Sequence, residues 1–233
     1  MEITEYSVKT GRVPDVVFAF VSDIHECDTR PAIEALTVSD AGALLVGGDC
    51  VHNEEKCEKG FEFLRSAASV MPVFCSLGNH ERRVENVRER IRDTGAILLD
   101  NSDAVFRGVR IGGLTSGVFY REQTSKKKTP PPKIEWLSEF SQKDGYKLLL
   151  CHHPEYYAPY IKPLDIDLTL SGHAHGGQWR FFKRGVYAPG QGLFPEYTSG
   201  MYGKRLIVSR GLGNPHIVPR INNEPEFVVI RLS

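Results

Sequence analysis

The chain has 233 residues, and its lysines plus arginines and its aspartates plus glutamates both number 29. A chain without net charge has no overall field that attracts nucleic acid, so we expect no nucleic-acid partner. The longest apolar runs fall far below the roughly 20 residues of a transmembrane helix, and Met1–Pro14 lacks the apolar run of a signal peptide. Five cysteines without a C-x-x-C pair predict reduced thiols and a cytoplasmic protein.

The amino-terminal part of the chain alternates strand and helix patterns. Strands are predicted at Val16–Val21, Ala43–Val46 and Val73–Leu77. Helices are predicted at Arg30–Leu36, Glu54–Ser69 and Arg82–Arg92. Thr29 and Asn53 are the expected N-caps of the first two helices. This order predicts a parallel sheet whose polar strand ends gather at one edge.

The pattern changes after Gly95, where short strands follow one another through Asp, Asn and Gly turns. Arg121–Lys133 contains three lysines and three prolines in a row, which predicts an exposed, mobile loop. Its lysines either form a solvated charge run or reach toward a phosphate. The remaining predicted elements are strands Ile97–Leu99, Ala104–Phe106, Val109–Ile111, Tyr146–Leu150, Asp167–Leu170, Arg205–Ser209 and Glu226–Leu232, and a helix at Ile134–Gln142. We expect one domain, residues 1–233, of two packed sheets with outer helices.

Five short polar clusters each follow a predicted strand. They are Asp23-Ile24-His25, Gly48-Asp49, Gly78-Asn79-His80-Glu81, His152 and Gly172-His173-Ala174-His175. Apart from Glu81, they offer two carboxylates, one amide and five imidazoles, a set that suits two divalent cations. Two such ions are the usual apparatus for attack on phosphorus, which predicts a metal-dependent phosphoric ester hydrolase.

Other histidines and cysteines near these clusters have simpler interpretations. We expect His52, His153 and His216 to be packed or surface residues, and only one of the adjacent His152 and His153 can face the metals. Cys50 and Cys151 adjoin predicted ligands on strands, so their side chains should point to the opposite face. We therefore expect both cysteines to be small buried residues behind the site.

The five clusters, in this order, resemble those of the calcineurin-like metallophosphoesterases, and the resemblance runs from Val17 to the carboxyl terminus. Ser171–Gln178 and Val208–Gly213 resemble the bacterial phosphodiesterase branch of the YkuE and YaeI type. The resemblance implies an α/β (α+β) fold, a four-layer α-β-β-α sandwich of two mixed β-sheets flanked by helices. It also favours His152, the first of its pair, as the ligand.

The resemblance further implies a ligand scheme for two divalent or trivalent ions. Asp23, His25 and His175 would hold the first ion, Asn79, His152 and His173 would hold the second, and Asp49 would bridge them. This mixture of oxygen and nitrogen donors suits Mn²⁺ best, with Fe or Zn²⁺ as alternatives. A hydroxide between the ions would attack the phosphate ester in line, with Asp49 holding both ions in the catalytic centre.

His80 is left to stabilise the transition state or to protonate the leaving oxygen. Arg82 and Arg83 follow it closely enough to bind a substrate phosphate, although a solvated helix face explains them equally well. Family members often carry an aspartate three residues after the bridging aspartate, where it orients the catalytic histidine. This chain has His52 there, so Glu81 or another group takes that place, or His80 acts unassisted.

Several functions remain open at this point. The leading hypothesis is a phosphodiesterase or phosphomonoesterase acting on a small or lipid-linked phosphate ester. A metal-binding scaffold of the same fold for a protein partner is one alternative, although His80 is present. Another is a lipid-precursor pyrophosphatase in peripheral contact with a membrane. Aromatic residues of the tail either line a lipid groove or pack in the core: Phe181, Phe182, Phe194, Tyr197 and Tyr202.

Overall fold

The computed structural model describes residues 1–120, 129–182, 184–214 and 218–233. Four α-helices form within these ranges: α1 (Arg30–Val38), α2 (Glu58–Ala68), α3 (Val87–Arg92) and α4 (Ile134–Ser141). The strands are β1 (Glu2–Val8), β2 (Val16–Val21), β3 (Ala43–Val46), β4 (Val73–Ser76), β5 (Ile97–Leu99), β6 (Ser102–Phe106), β7 (Val109–Leu114), β8 (Tyr146–Cys151), β9 (Leu168–Ser171), β10 (Arg180–Phe181), β11 (Arg184–Gly185), β12 (Tyr187–Ala188), β13 (Gly192–Leu193), β14 (Gly200–Tyr202), β15 (Leu206–Val208) and β16 (Glu226–Leu232). Among the described residues, no helix has the length and apolarity needed to cross a bilayer.

Two mixed six-stranded sheets form the centre of the fold. The first has the order β1-β16-β2-β3-β4-β5, in which β16 runs antiparallel to β2 and the other neighbours are parallel. The second has the order β14-β15-β9-β8-β7-β6, with antiparallel β14 and β6 at its edges. Two short hairpins, β10–β11 and β12–β13, follow β9 along the chain.

The side chains of β2 show how the layers stack. Phe18 and Phe20 belong to the apolar cluster that joins both sheets, whereas Ala19 and Val21 belong to the cluster beneath α1, α2 and α3. Successive residues of a strand point to opposite faces, so a strand covered on both sides is apolar throughout. Phe140 of α4 belongs to a third cluster, on the outer face of the second sheet. The α-β-β-α sandwich predicted from the sequence is therefore confirmed.

Several predicted boundaries were wrong. The second helix begins at Glu58, because residues 53–56 form a bridged turn in which Asn53 Oδ1 accepts from the N–H of Lys56 at 2.9 Å. The predicted helix Arg82–Arg92 is instead a 3-10 turn, Glu81–Arg83, followed by α3, because Asn86 takes a left-handed conformation between them. No strand was predicted before β2, yet β1 pairs in parallel with β16.

Candidate metal centre

The carboxyl ends of both sheets meet at one rim of the sandwich. The N–H of Asp23, after β2, donates to the carbonyl oxygen of Gly48, after β3, at 3.0 Å. In the second sheet, the N–H of Gly172 after β9 donates to the carbonyl oxygen of His152 after β8 at 3.1 Å. Neighbouring parallel strands thereby bring the five polar clusters to a common edge, which is where open α/β sheets bind their ligands.

Six of the seven predicted metal ligands form two adjacent groups. One consists of Asp23, His25 and His175, and the other of Asp49, His152 and His173; within each, one ligand atom per residue lies within 4.8 Å of the others. The Nε2 atom of His175 lies 3.5 Å from Asp23 Oδ1, and that of His152 lies 3.1 Å from Asp49 Oδ2. Ligand atoms of one ion are separated by roughly 3.0–3.5 Å when metal–ligand bonds are near 2.1 Å.

Asp49 lies between the two groups. Its Oδ2 atom is 3.1 Å from Nε2 of His152 in its own group and 3.9 Å from Nε2 of His25 in the other. The carboxylate is 1% exposed, so its charge is turned inward rather than solvated. One oxygen of this carboxylate, Oδ2, therefore faces both groups, while Oδ1 accepts from the main-chain N–H of His80 at 2.8 Å.

Buried polar atoms without partners indicate what the site can hold. Among the described residues, Asn79 Oδ1, His152 Nε2 and both ring nitrogens of His25 are buried without a hydrogen-bond partner. Such atoms are rare in folded proteins because their desolvation is uncompensated. Metal ions would satisfy Asn79 Oδ1, His152 Nε2 and one ring nitrogen of His25, so the donor set fits the ions that the sequence predicts.

Burial and charge set the ionisation states of the site. Burial lowers the pKa values of His25 and His173 well below the usual value, so both rings are neutral, the form that binds metals. Burial also opposes protonation of His152, but Asp49 and Asp23 outweigh it and raise the pKa of His152 to about 10. The two carboxylates therefore require positive charge beside them, from a protonated imidazole or from a cation.

The backbone of the site is strained. Five predicted ligands have a left-handed conformation, with φ of 52° at Asp23, 49° at His25, 52° at Asp49, 63° at His173 and 45° at His175. Side chains other than glycine seldom adopt this conformation, and each such residue costs on the order of 1–3 kcal/mol. These sharp turns direct polar side chains from several strand ends to the same place.

Glu81 fixes two of the loops. Its carboxylate is fully buried and accepts from the N–H groups of Gly78 at 2.7 Å, Asp49 at 3.1 Å and Cys50 at 2.7 Å. Gly78 must lack a side chain, since a Cβ atom there would lie 2.2 Å from Asp49 Oδ1. From the sequence, Glu81 was predicted only as a possible partner of His80; its position three residues after Gly78 was the available signal for this role.

The family model of the calcineurin-like phosphoesterases matches residues 16–177, which include all five clusters. The chain belongs to the calcineurin-like phosphoesterase family. It is therefore a phosphoesterase, a hydrolase of phosphoric esters, as the sequence predicted. The two facing sheets described above agree with this assignment.

Bacterial relatives of this phosphoesterase span most of its length. It is 36% identical to the uncharacterized metallophosphoesterase YkuE of Bacillus subtilis over 100% of this chain and 86% of that protein. It is 28% identical to the phosphodiesterase YaeI of Escherichia coli over 91% and 80% of the two chains. The uncharacterized protein YpbG of Bacillus subtilis is 25% identical over 95% and 82%. The resemblance to the YkuE and YaeI branch is confirmed.

The histidine of the third phosphoesterase cluster, His80, lies beside Asp49, and of the alternatives left open by the sequence its partner is a group other than Glu81. Its Nε2 is 3.9 Å from Asp49 Oδ2, and its Nδ1 is 2.8 Å from the main-chain carbonyl oxygen of His52. A carbonyl oxygen only accepts, so Nδ1 carries a proton. The main chain of residue 52, rather than Glu81, thus occupies the place of the aspartate that family members often have.

The remaining predicted residues of this phosphoesterase lie around the site. Arg82 and Arg83 are both exposed, and Nη1 of Arg83 is 3.4 Å from Nδ1 of His80. His153 is buried, and its Nε2 lies 2.7 Å from the Ser116 hydroxyl. Predictions for His216 and for the lysines of residues 126–128 lie outside the described residues. Cys50 and Cys151 are buried and pack in the two outer apolar clusters, as expected of small buried residues behind the site.

Proposed function

We propose that this phosphoesterase is a dinuclear-metal-dependent phosphodiesterase. The observation that carries the proposal is the position of the Asp49 carboxylate between two adjacent Asp and His groups. Asp23, His25 and His175 would hold one ion, and Asn79, His152 and His173 the other, with Asp49 shared. Mn²⁺ suits this mixture of oxygen and nitrogen donors, as do Fe and Zn²⁺.

Bound ions would acidify water and neutralise the oxygens of the phosphate under attack. The protein's own residues contribute orientation and a proton. The His52 carbonyl oxygen holds the His80 ring by Nδ1, so that Nε2 is turned toward Asp49. A proton carried on Nε2 would reach the leaving oxygen of a substrate held there. Arg83, beside His80, would bind a second oxygen of the substrate.

The preference for diesters and the cytoplasmic location have separate support. The relative YaeI is named a phosphodiesterase, which favours diesters over monoesters as the substrate class of this chain. All five cysteines lie in the described residues and are free thiols, as in proteins of a reducing compartment. Neutral net charge supports a small or lipid-linked ester rather than nucleic acid.

Hydrolysis of two chromogenic esters tests this proposal. Metal-stripped protein receives Mn²⁺, Zn²⁺, Fe²⁺, Co²⁺ or Mg²⁺ singly and is assayed on bis(p-nitrophenyl) phosphate and p-nitrophenyl phosphate. We expect the ions to restore turnover, faster on the diester and most with Mn²⁺, and Asp49→Asn to abolish it. Faster turnover of the monoester would contradict the diester preference, and bound metal without turnover on either ester would favour a non-catalytic scaffold.

A further inference from the structure

A buried carboxylate outside the predicted ligand set lies directly behind the second group. Glu155 belongs to the 3-10 turn Pro154–Tyr156, and its side chain is 16% exposed. The hydroxyl of Thr129 donates to its Oε1 at 2.6 Å. The β12–β13 turn closes over the same atom, because a Cβ atom at Gly190 would lie 2.1 Å from it. Because this acid is largely shielded from water, its charge must be compensated by neighbouring protein groups.

Two imidazoles face this carboxylate. Nδ1 of His153 lies 3.3 Å from Glu155 Oε1, and Nε2 of His173 lies 3.9 Å from the same oxygen. The two rings are edge to face, with centroids 4.3 Å apart. The Ser116 hydroxyl lies 2.7 Å from Nε2 of His153 and fixes that ring from behind. Glu155 is therefore held in place beside Nε2 of His173.

His173 belongs to two sets of neighbours. In one set, a ring nitrogen of His173 lies within 4.8 Å of ligand atoms of Asp49 and His152. In the other set, a ring nitrogen lies within 4.8 Å of ligand atoms of His153 and Glu155. The Nε2 atom is the one near Glu155. A ring nitrogen that donates its proton to a carboxylate cannot bind an ion, so a hydrogen bond from Nε2 to Glu155 would leave Nδ1 as the ligand atom. Closure of the 3.9 Å gap by about 1 Å brings Nε2 and the carboxylate to hydrogen-bond distance.

We propose that Glu155 is a positioning residue for the second ion, an inference that rests on the proposed function. It accepts the Nε2 proton of His173, fixes the ring so that Nδ1 faces the ion, and makes that nitrogen a stronger donor. His153 keeps Glu155 in place, which explains the second histidine of the adjacent pair. The negative charge of Glu155 also offsets part of the positive charge of the ions at the rim.

Titration of ions into Glu155→Gln tests this inference. Co²⁺ is added to metal-stripped protein, and binding is followed by calorimetry and by the visible absorption of the bound ion. We expect about 10- to 100-fold weaker binding of one of two ions, with a changed Co²⁺ spectrum for that ion and no change in the other. Thr129→Val, which removes the hydroxyl bound to Oε1, should give a smaller change of the same kind and serves if Glu155→Gln does not fold.

Asp103→Asn is the matched control. That carboxylate is also buried, at 8% exposure of its side chain, and it pairs with Arg110 and Lys143 away from the rim. We expect both ions to bind Asp103→Asn as they bind the wild type. Unchanged binding of both ions by Glu155→Gln would overturn the inference. So would three ions in the wild type and two in the variant, because Glu155 would then be a ligand with His153 and His173. Wild-type protein that binds no pair of ions would instead refute the proposed function.

Discussion

The Nδ1 atom of His80 lies 2.8 Å from the main-chain carbonyl oxygen of His52. A carbonyl oxygen can receive the Nδ1 proton as an aspartate would, but it carries no full negative charge. The carbonyl oxygen therefore orients the ring as a carboxylate would. It stabilises a protonated imidazole less strongly than a carboxylate does. The hydrogen bond at this position depends on the backbone turn after Asp49, whereas the side chain of residue 52 contacts His80 only ring to ring, with centroids 4.9 Å apart.

This relationship predicts unequal effects of two substitutions. His80→Ala should lower kcat by about 10²- to 10⁴-fold, the usual contribution of a general acid, while both ions remain bound. His52→Ala keeps the carbonyl oxygen and should lower kcat far less. Steady-state kinetics with metal analysis of the same samples checks both. Loss of the ions from His80→Ala would show that His80 is a ligand, and equal losses of kcat would show that the His52 side chain is needed.

Glu81→Gln should weaken the fold and the site together. One carboxylate accepts main-chain N–H groups from two loops, and an amide has a single acceptor oxygen, so buried donors are left unpaired. We expect a loss of about 1–3 kcal/mol in the free energy of unfolding, measured by urea denaturation. Glu85→Gln, at an exposed position of the same segment, is the control and should be neutral. Equal unfolding free energies for the two variants would refute the anchoring role of Glu81.

Histidine ionisation in metal-stripped protein gives a pH-dependent prediction. The pKa of His152 is raised to about 10, so its ring should be protonated at pH 8, whereas His25, whose pKa is lowered by burial, should be neutral. A raised folded-state pKa stabilises the fold fully below the ordinary histidine pKa of 6.5, and this contribution is lost as pH rises through about 10. Nitrogen NMR shifts of the two rings check the states; a neutral His152 at pH 8 would contradict them.

The two arginines that follow the third cluster should affect KM to different extents. Arg83 lies beside His80, so Arg83→Ala should raise KM by roughly tenfold, the loss of one charge-assisted hydrogen bond to substrate. Arg82→Ala, on the same turn, is the control and should leave KM close to that of the wild type. Diester kinetics across a range of ionic strength measures both. A KM shift of the same size in Arg82→Ala would mean a general field effect instead of a contact.

The sequence was informative about the site because strand ends are easy to recognise. Clusters such as Asp23-Ile24-His25 follow apolar runs, and parallel strands must bring them to one edge. Aspartate and histidine types also indicate metal chemistry without a structure. The reaction class followed from these features, and the family and the fold followed from the resemblance of the five clusters, in their order, to those of the calcineurin-like metallophosphoesterases.

Other features depend on tertiary contacts that no local pattern encodes. The left-handed turns at Asp23 and Asp49 are imposed by their surroundings, and these residue types only permit them. The partner of His80 is a main-chain oxygen, which every residue has, so the amino-acid sequence does not identify it. In β1, inward-facing Thr4, Tyr6 and Val8 alternate with exposed residues, and the charged ones among them hid the strand pattern.

The number of ions per chain, measured together with turnover in the same samples, tests the central claim most directly. Metal-stripped protein is titrated with Mn²⁺, and bound metal and diester hydrolysis are followed at each step, with Asp49→Asn alongside. We predict two ions per chain, turnover that appears only as the second ion binds, and weak binding without turnover in Asp49→Asn. Full turnover in the presence of excess chelator, or with one bound ion, would contradict the dinuclear centre.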